Sequence, residues 1–282
     1  MPFRDIVVHV DHGPASEERV RLACEIARRG RAHLLALYYL EILPISLFSP
    51  WGDPGYSDFA SIENLRHNSR AAALAAAEKI EAVFHAEASR AGINSKWRMV
   101  EGIGAASVVR QARYADLVIL GQVDPEAPAP SSVVPEEVVL SSGRPALIVP
   151  YVLRSQSVAR RVFVAWNASR EAARAVADAL PLLQDAEAVV VVSINAKLGV
   201  ESEQPASDLA HHLARHGVKA EATAIVAKDP TVGAVLLARA ADFGADLIVM
   251  GAYGHSRSRE LLLGGATRHI LRHMTIPLLM AH

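Results

Sequence analysis

The sequence predicts an α/β fold that is built twice in tandem from one unit, and three observations support this. Short apolar runs alternate with helical patterns along the 282 residues. The run RDIVVHV at 4–10 returns as RRVFVAW at 160–166, and YADLVILG at 114–121 returns as GADLIVMG at 244–251. Runs such as AVVVVS are apolar at consecutive positions, which is typical of a parallel strand covered on both faces.

Each copy is expected to hold five strands alternating with four helices. Each first strand stops at a turn-forming residue, Asp11 or Asn167, and Ser16 and Ser169 are candidate N-caps of the helices that follow. The predicted strands are 5–10, 32–38, 96–100, 116–121 and 145–150, then 161–166, 187–193, 219–226, 246–251 and 277–281. The predicted helices are 16–30, 62–91, 104–113 and 133–142, then 169–183, 205–217, 230–243 and 266–273. This alternation implies right-handed crossovers and two doubly wound, mostly parallel five-stranded sheets of the flavodoxin/Rossmann-like order 3-2-1-4-5.

Composition limits the class of protein. The net charge is −1, so the chain shows no basic surface for nucleic acid or for an anionic membrane. The single cysteine, Cys24, excludes an internal disulfide framework, and it shares a predicted core face with Val20 and Ala27. The first residues lack the pattern of a signal peptide, and no 18-residue apolar run exists. We expect a soluble cytoplasmic protein, with a linker near 151–158 separating domains 1–153 and 158–282.

A glycine-rich stretch, GAYGHSRSRELLLGG at 251–265, follows the fourth predicted strand of the second copy. Gly251 and Gly254 allow positive φ and a close approach of a ligand to the backbone. Residues 264–267 open the last helix, whose unpaired N–H groups favour a phosphate. His255, Arg257 and Arg259 could help to neutralise an anion. On spacing alone, a glycine-rich connection ending in an ordinary helix cap explains the stretch equally well.

The spacing Gly251-x2-Gly254-x9-Gly264, between a strand and the last helix, resembles the universal stress protein family. ATP-binding members of that family carry G-x2-G-x9-G-[S/T] and an aspartate after the first strand. The resemblance covers both halves and implies a tandem stress-response protein that binds ATP, ADP or AMP in its second domain, with Mg2+ as a companion of the phosphates. The implied role is regulatory and not catalytic.

The resemblance also implies which residues would form the nucleotide site. They are Ala165, Trp166, Asn167, Ile194, Gly251, Tyr253, Gly254, His255, Gly264, Gly265, Ala266 and Thr267. Two of them depart from the family pattern. Asn167 replaces the acid and so removes a charge, and Gly265 replaces a Ser or Thr hydroxyl while keeping the backbone N–H.

The corresponding stretch of the first copy reads GQVDPEAPAPSSVVP and contains no basic residue. Counting back from the proline before each last strand, Asp124 aligns with Gly254, Val133 with Gly265 and Pro135 with Thr267. A phosphate there would meet carboxylates and fewer amide donors, since proline has no N–H. We therefore expect the first copy to keep Asp11 and yet to have lost triphosphate binding.

The resemblance further implies that the two domains pack as an internal pseudo-dimer, with 145–150 pairing edge to edge with 277–281. A homodimer of the whole chain and an unknown protein partner stay open. So do two other functions: slow ATP hydrolysis or nucleotidyl chemistry in the same crevice, and a scaffold that binds no nucleotide. The segment 41–60 is expected to form a surface flap, and its composition does not separate an ordered flap from a partner-binding loop.

Two histidine pairs at i,i+4 spacing, His212 with His216 and His269 with His273, are the other motifs that could carry chemistry. A zinc site needs a third ligand, and no HExxH pattern accompanies either pair. We expect no metal site and no catalytic residue.

Overall fold

The computed structural model describes residues 2–11, 13, 15–41, 59–102, 105–124, 126, 133–153, 157–194, 205–225, 232–252 and 265–282. Five strands lie in the N-terminal half: β1 (Asp5–Val10), β2 (His33–Glu41), β3 (Ser95–Gly102), β4 (Leu117–Gly121) and β5 (Ala146–Val149). Five lie in the C-terminal half: β6 (Arg161–Trp166), β7 (Ala188–Ile194), β8 (Ala220–Ile225), β9 (Leu247–Gly251) and β10 (Leu278–Ala281). These match the predicted strands within a few residues. The predicted 41–60 flap falls almost wholly outside the described residues.

The strands form one continuous sheet in the order β3-β2-β1-β4-β5-β10-β9-β6-β7-β8. Each half has the predicted order 3-2-1-4-5, and the strands within each half are parallel. The halves meet where β10 pairs antiparallel with β5, with Leu279 opposite Leu147. The expected edge-to-edge pairing is therefore present, and it covers two apolar edge strands that would otherwise be exposed.

Helices cover both faces of the sheet. In the N-terminal half they are α1 (Ser16–Gly30), α2 (Phe59–Ala91), α3 (Ala106–Ala112) and α4 (Pro135–Ser142). In the C-terminal half they are α5 (Arg170–Gln184), α6 (Pro205–Arg215), α7 (Val232–Phe243) and α8 (Gly265–His273). Buried residues of α1, α2, α5 and α6 pack on one face, and those of α3, α4, α7 and α8 pack on the other. Strands buried on both faces explain the continuously apolar runs of the sequence.

The repeated ADL sequence has a structural role in each half. The carboxylate of Asp116 accepts hydrogen bonds from the backbone N–H groups of Arg4 and Asp5, at 2.7 and 3.1 Å. Asp246 accepts from the corresponding N–H groups of Arg160 and Arg161, at 3.1 and 2.9 Å. Each aspartate therefore fixes the start of the first strand against the fourth strand of its own half.

The two helices that follow the first strands begin differently. Ser169 is the N-cap of α5, and its Oγ accepts a hydrogen bond from Ala172 N at 3.1 Å, as predicted. The prediction that Ser16 caps α1 is wrong. The N-cap is Ala15, which makes no side-chain capping bond, and Ser16 is already helical. Its hydroxyl instead accepts from Asp11 N and donates to the Asp11 carboxylate.

A buried glutamine joins the two halves beside the β5–β10 pair. Gln122 directly follows β4, and its Nε2 donates to Leu271 O of α8 at 2.7 Å. Its Oε1 accepts from Tyr151 N at 3.3 Å. The residue after β4 of the N-terminal half is therefore hydrogen-bonded to α8, the last helix of the C-terminal half.

Candidate functional site

The carboxyl ends of β6, β7 and β9 meet at one edge of the C-terminal half. Ala165 of β6 lies opposite Met250 of β9, and Trp166 lies opposite Ser193 of β7. Winding reverses between β6 and β9, the position where open parallel sheets bind ligands. We call this edge the C-terminal crevice and define it by five of the predicted site residues: Ala165, Trp166, Asn167, Ile194 and Gly251.

None of the five residues that define the C-terminal crevice is fully buried. Asn167 is exposed, and the other four residues that define it are only half-buried. Asn167 Oδ1 accepts a hydrogen bond from Ser169 N at 3.1 Å, which shapes the turn into α5. Ala165 and Gly251 present little or no side chain at the ends of β6 and β9, whereas Trp166 and Ile194 are larger and half-buried.

Gly251 lets the start of α5 approach the sheet closely. A Cβ added there would lie 2.6 Å from Glu171 C and 2.9 Å from Ala172 Cα. Real Cβ atoms do not make such contacts, and the neighbouring atoms are backbone atoms that cannot rotate away. Glycine at 251 is therefore required by helix packing, whether or not a ligand also approaches it.

Three predicted phosphate-side residues form the first turn of α8. Gly265 has open space where a Cβ would lie, and the Thr267 side chain is buried. The first turn carries no acidic residue, so its N–H groups and positive dipole end face no competing carboxylate of their own helix. Helix α7 supports this turn, because a Cβ on Gly233 would lie 3.0 Å from Ala266 O. The remaining predicted residues, Tyr253, Gly254, His255 and Gly264, lie outside the described residues.

The corresponding edge of the N-terminal half is filled by an arginine. Arg19 of α1 is 2 % exposed, and its guanidinium lies at the end of β4, where a Cβ on Gly121 would lie 2.9 Å from Arg19 Cζ. Arg19 Nε donates to His9 O at 2.8 Å, and Nη2 donates to Asp11 Oδ2 at 2.7 Å. We call this edge the N-terminal crevice and define it by His9, Asp11, Arg19, Tyr39 and Gly121.

The Asp11 carboxylate is fully engaged in these contacts. Oδ1 accepts from Gly13 N and Ser16 Oγ, each at 2.8 Å, while Oδ2 holds Arg19. Burial, the largest single influence, would raise the pKa of Asp11. The charges of Arg19 and His9, together with the hydrogen bonds from Ser16 and Gly13, outweigh it and hold this pKa well below its ordinary value. The position that ATP-binding family members use for their aspartate is here part of an internal ion pair.

At two positions the N-terminal crevice has a large, buried side chain where the C-terminal crevice has a smaller, half-buried one. His9 occupies the place of Ala165, and Tyr39 that of Ile194; they are 2 % and 5 % exposed. Burial lowers the pKa of His9 from 6.5 to about 4; Asp11 opposes this shift and Arg19 adds to it. The imidazole is therefore neutral at pH 7, and its Nε2 has no hydrogen-bond partner among the described residues.

After β4, helix α4 begins at Pro135, whereas α8 begins at Gly265, the residue aligned with Val133. Pro135 is the first residue of α4 and Val133 is 3 % exposed, so this turn has a proline where the C-terminal half has Thr267. Glu136 and Glu137 occupy the first turn of α4. The positive end of that helix already faces two carboxylates of its own chain.

The universal stress protein family model matches residues 159–282. These residues belong to the universal stress protein family. They include every described residue of the C-terminal crevice and the first turn of α8. No curated protein sequence matches the chain.

Solved structures extend the likeness in fold to the whole chain. A universal stress protein from Archaeoglobus fulgidus DSM 4304 has a TM-score of 0.71 at 14% identity, covering 98% of this chain and 95% of that chain. A functionally unknown protein from Pseudomonas aeruginosa PAO1 has a TM-score of 0.57 at 14% identity, covering 98% and 92%. A universal stress protein in complex with cAMP covers 54% of this chain and 99% of its own, at 22% identity and a TM-score of 0.34. The first shows that both halves share the fold of a universal stress protein structure.

Sequence reasoning missed Arg19, the residue that distinguishes the two crevices. A signal was present: Arg19 lies eight residues after Asp11, and the residue eight after Asn167 in the universal stress protein domain is Ala175. Read alone, Arg19 matches the many exposed arginines of α1. Only the fold shows that it faces the sheet, because its guanidinium reaches Gly121 at the end of β4.

The other motifs carry no chemistry that the geometry supports. Burial raises the pKa of Cys24 to about 12, so its thiol is protonated and unreactive at neutral pH. The rings of His212 and His216 lie 4.8 Å apart, and those of His269 and His273 lie 4.3 Å apart. Among the described residues, no group of three or more His, Cys, Asp or Glu could hold a metal ion.

An open groove of about 800 Å³ lies at the other edge of the universal stress protein domain. It follows the amino ends of β6, β7 and β8, where Arg161, Glu187 and Lys219 line it with Phe243. The C-terminal crevice lies at the carboxyl ends of the same strands, so the groove and the candidate site are separate. In the described part of the chain, no helix is long and apolar enough to cross a membrane.

Proposed function

We propose that residues 158–282 bind ATP or a related adenine nucleotide in the C-terminal crevice, and that the protein is a cytoplasmic stress-response protein regulated by this ligand. Residues 1–153 would form a second unit of the same kind whose nucleotide site is degenerate. The family of residues 159–282 makes stress response the general expectation. The observation that carries the specific proposal is the contrast between exposed or half-buried residues at the strand ends of one half and buried residues, with Arg19 among them, in the other.

The described residues fit an adenine nucleotide. Ala165 and Ile194 offer a half-buried apolar surface suited to a base, and Asn167 offers both a donor and an acceptor to the ribose or the base edge. The first turn of α8 offers backbone N–H groups and the Thr267 hydroxyl to phosphates. Mg2+ would then be held by the phosphates and water, since the described crevice contains no acidic side chain.

The geometry favours binding over catalysis. Hydrolysis needs a base that positions water, and none of the five described residues that define the C-terminal crevice can act as one; the predicted site residue His255 lies outside the described residues. A slow hydrolase and a nucleotide-free scaffold are the alternatives that experiment must separate. Mass spectrometry of the denatured, purified protein shows whether ATP, ADP, AMP or no nucleotide is carried with it.

A pair of matched variants tests the site. Gly254→Asp copies Asp124 of the first unit and places a carboxylate in the phosphate-binding loop. We expect at least a 100-fold loss of ATP affinity by calorimetry, because like-charge repulsion and a lost close approach act together, with an unchanged circular dichroism spectrum. The reverse change, Asp124→Gly, should leave ATP affinity unchanged and is the control.

Three outcomes decide between the functions. Unchanged affinity in Gly254→Asp shows that the site is placed wrongly. The absence of any bound nucleotide and of any nucleotide-induced thermal shift supports the scaffold. ATP turnover in the native protein that exceeds that of Gly254→Asp by orders of magnitude supports the hydrolase.

A further inference from the structure

We propose that the N-terminal crevice is a guanidinium-binding site occupied by the chain's own Arg19, which acts as a built-in ligand of Asp11. This inference concerns the N-terminal half alone and does not depend on nucleotide binding by the C-terminal half. The groups that line the site define the class of ligand that it takes. They are a carboxylate, a hydroxyl and a backbone carbonyl, all of which accept hydrogen bonds from a planar cation.

The acceptor set surrounds the guanidinium on several sides. His9 O receives the Nε–H at 2.8 Å, Asp11 Oδ2 receives Nη2 at 2.7 Å, and Ser16 Oγ lies 2.7 Å from the same Nη2. Two different nitrogens of the guanidinium, Nε and Nη2, thus reach three acceptors, an arrangement that the single ammonium of lysine does not match. The Arg19 side chain is 3% exposed and the Asp11 side chain 18%, so the guanidinium is buried while the carboxylate keeps an edge in contact with water.

The backbone forms the remaining wall. Nη1 lies over Gly121 at the end of β4, closely enough that a Cβ there would meet it. The absence of a side chain at 121 therefore creates the space in which the guanidinium sits. In the C-terminal half the corresponding Gly251 meets the backbone of α5 instead. The glycine that ends the fourth strand therefore leaves space for an arginine side chain in one half and for a helix backbone in the other.

The neighbouring groups make the site selective for a permanent cation. His9 supplies its backbone carbonyl, while its buried imidazole stays neutral and adds no repulsion at pH 7. Asp11 is the one carboxylate that contacts Arg19 among the described residues. Removing the guanidinium would leave a buried anion beside a cavity of matching shape, and such a charge is strongly destabilising.

Chemical rescue tests this inference. Arg19→Ala should lower the Tm by roughly 10 °C, because it leaves the Asp11 charge buried without its partner. Adding guanidinium chloride at about 50 mM, a concentration at which general denaturation is small, should recover part of the lost Tm. The same concentration of sodium chloride should not. The measurement is made without nucleotide, so this inference and the proposed function can fail independently.

Two further variants make the test specific. Arg28→Ala removes another arginine of α1, one that pairs with Glu25 at the surface. This variant should lose little Tm, and guanidinium should not recover that loss. Adding Asp11→Asn to Arg19→Ala should abolish the rescue, because the receptor charge is gone. Arg19→Gln, which keeps a planar donor, should fold and lose less Tm than Arg19→Ala.

The inference is overturned if guanidinium raises the Tm of Arg19→Ala no more than sodium chloride does. It is also overturned if Arg19→Ala and Arg19→Gln both keep the native Tm. If Arg19→Ala is recovered folded only when guanidinium is present, that result supports it.

Discussion

The N-terminal and C-terminal crevices occupy the same position in two copies of one fold, and they differ in what fills them. In the first, Arg19, His9 and Tyr39 are buried at the strand ends. In the second, Ala165, Ile194 and Asn167 are half-buried or exposed. The sheet order and the glycine that ends the fourth strand are common to both. Among the described residues, the two crevices therefore differ in the side chains at their strand ends, while the order of the strands is the same.

The comparison also shows how one position can change its role. Asp11 is bound to Arg19 and stabilises the fold, whereas Asn167 faces solvent at the other crevice. An aspartate can match a family pattern and still be unavailable to any ligand. Asparagine can depart from that pattern and still keep hydrogen-bonding capacity at an open site.

The largest effect is expected from removing Asp11. Asp11→Ala leaves the Arg19 guanidinium buried without its carboxylate, so we expect the free energy of unfolding to fall by about 3–5 kcal/mol. The matched change, Asn167→Ala, affects an exposed side chain and should cost less than about 1 kcal/mol. Urea unfolding followed by circular dichroism measures both. Equal losses in the two variants would remove the contrast between the crevices.

The second effect depends on pH and concerns His9. Its pKa is lowered to about 4 in the folded protein, against 6.5 when unfolded. As the pH falls from 6.5 to 4, the unfolded chain binds a proton at His9 that the folded chain does not, so stability falls. The loss attributable to this residue approaches about 3 kcal/mol at pH 4.

His9→Gln provides the control for this effect, because glutamine does not titrate. The difference in free energy of unfolding between native protein and variant should narrow as the pH falls towards 4. The lowered pKa of Asp11 acts below this window, where its stabilising contribution is lost as the carboxylate is protonated. A difference that stays constant from pH 7 to pH 4 would show that His9 is not buried in its neutral form.

The smallest effect concerns the glycines of the C-terminal half. Gly251→Ala places a methyl group against the backbone of α5, so we expect a loss of about 1–3 kcal/mol. Gly265→Ala places one in open space at the start of α8, so its stability should change by less than about 1 kcal/mol, in the stabilising direction. Denaturant unfolding compares the two. A tolerated Gly251→Ala would show that α5 does not lie so close to β9.

Much of the fold could be predicted from the sequence because its signals are local and repeated. The apolar runs gave the strands within a few residues, and the two ADL repeats located the fourth strand of each half. The capping of α1 could not be predicted. Ser16 has the residue type of a cap, but its hydroxyl contacts the Asp11 carboxylate, a choice that depends on the turn between them.

The candidate site was predictable only in part. Spacing and resemblance named the residues of the C-terminal crevice, and the structure brings the ends of β6, β7 and β9 to one edge. Their role in binding a nucleotide stays a prediction, as do the domain limits. Loss of the first site was inferred from Asp124, Val133 and Pro135, which lie in the loop and the next helix.

The sequence by itself determined that the chain is a tandem α/β repeat with an asymmetric pair of strand-end loops, because periodicity and glycine spacing are properties of neighbouring residues. Tertiary structure decided which arginine is buried and which carboxylate is unavailable. Arg19 becomes an internal ligand only because winding of the sheet brings the end of β4 beside α1, far away along the chain. Contacts between distant segments depend on packing, and no local pattern encodes them.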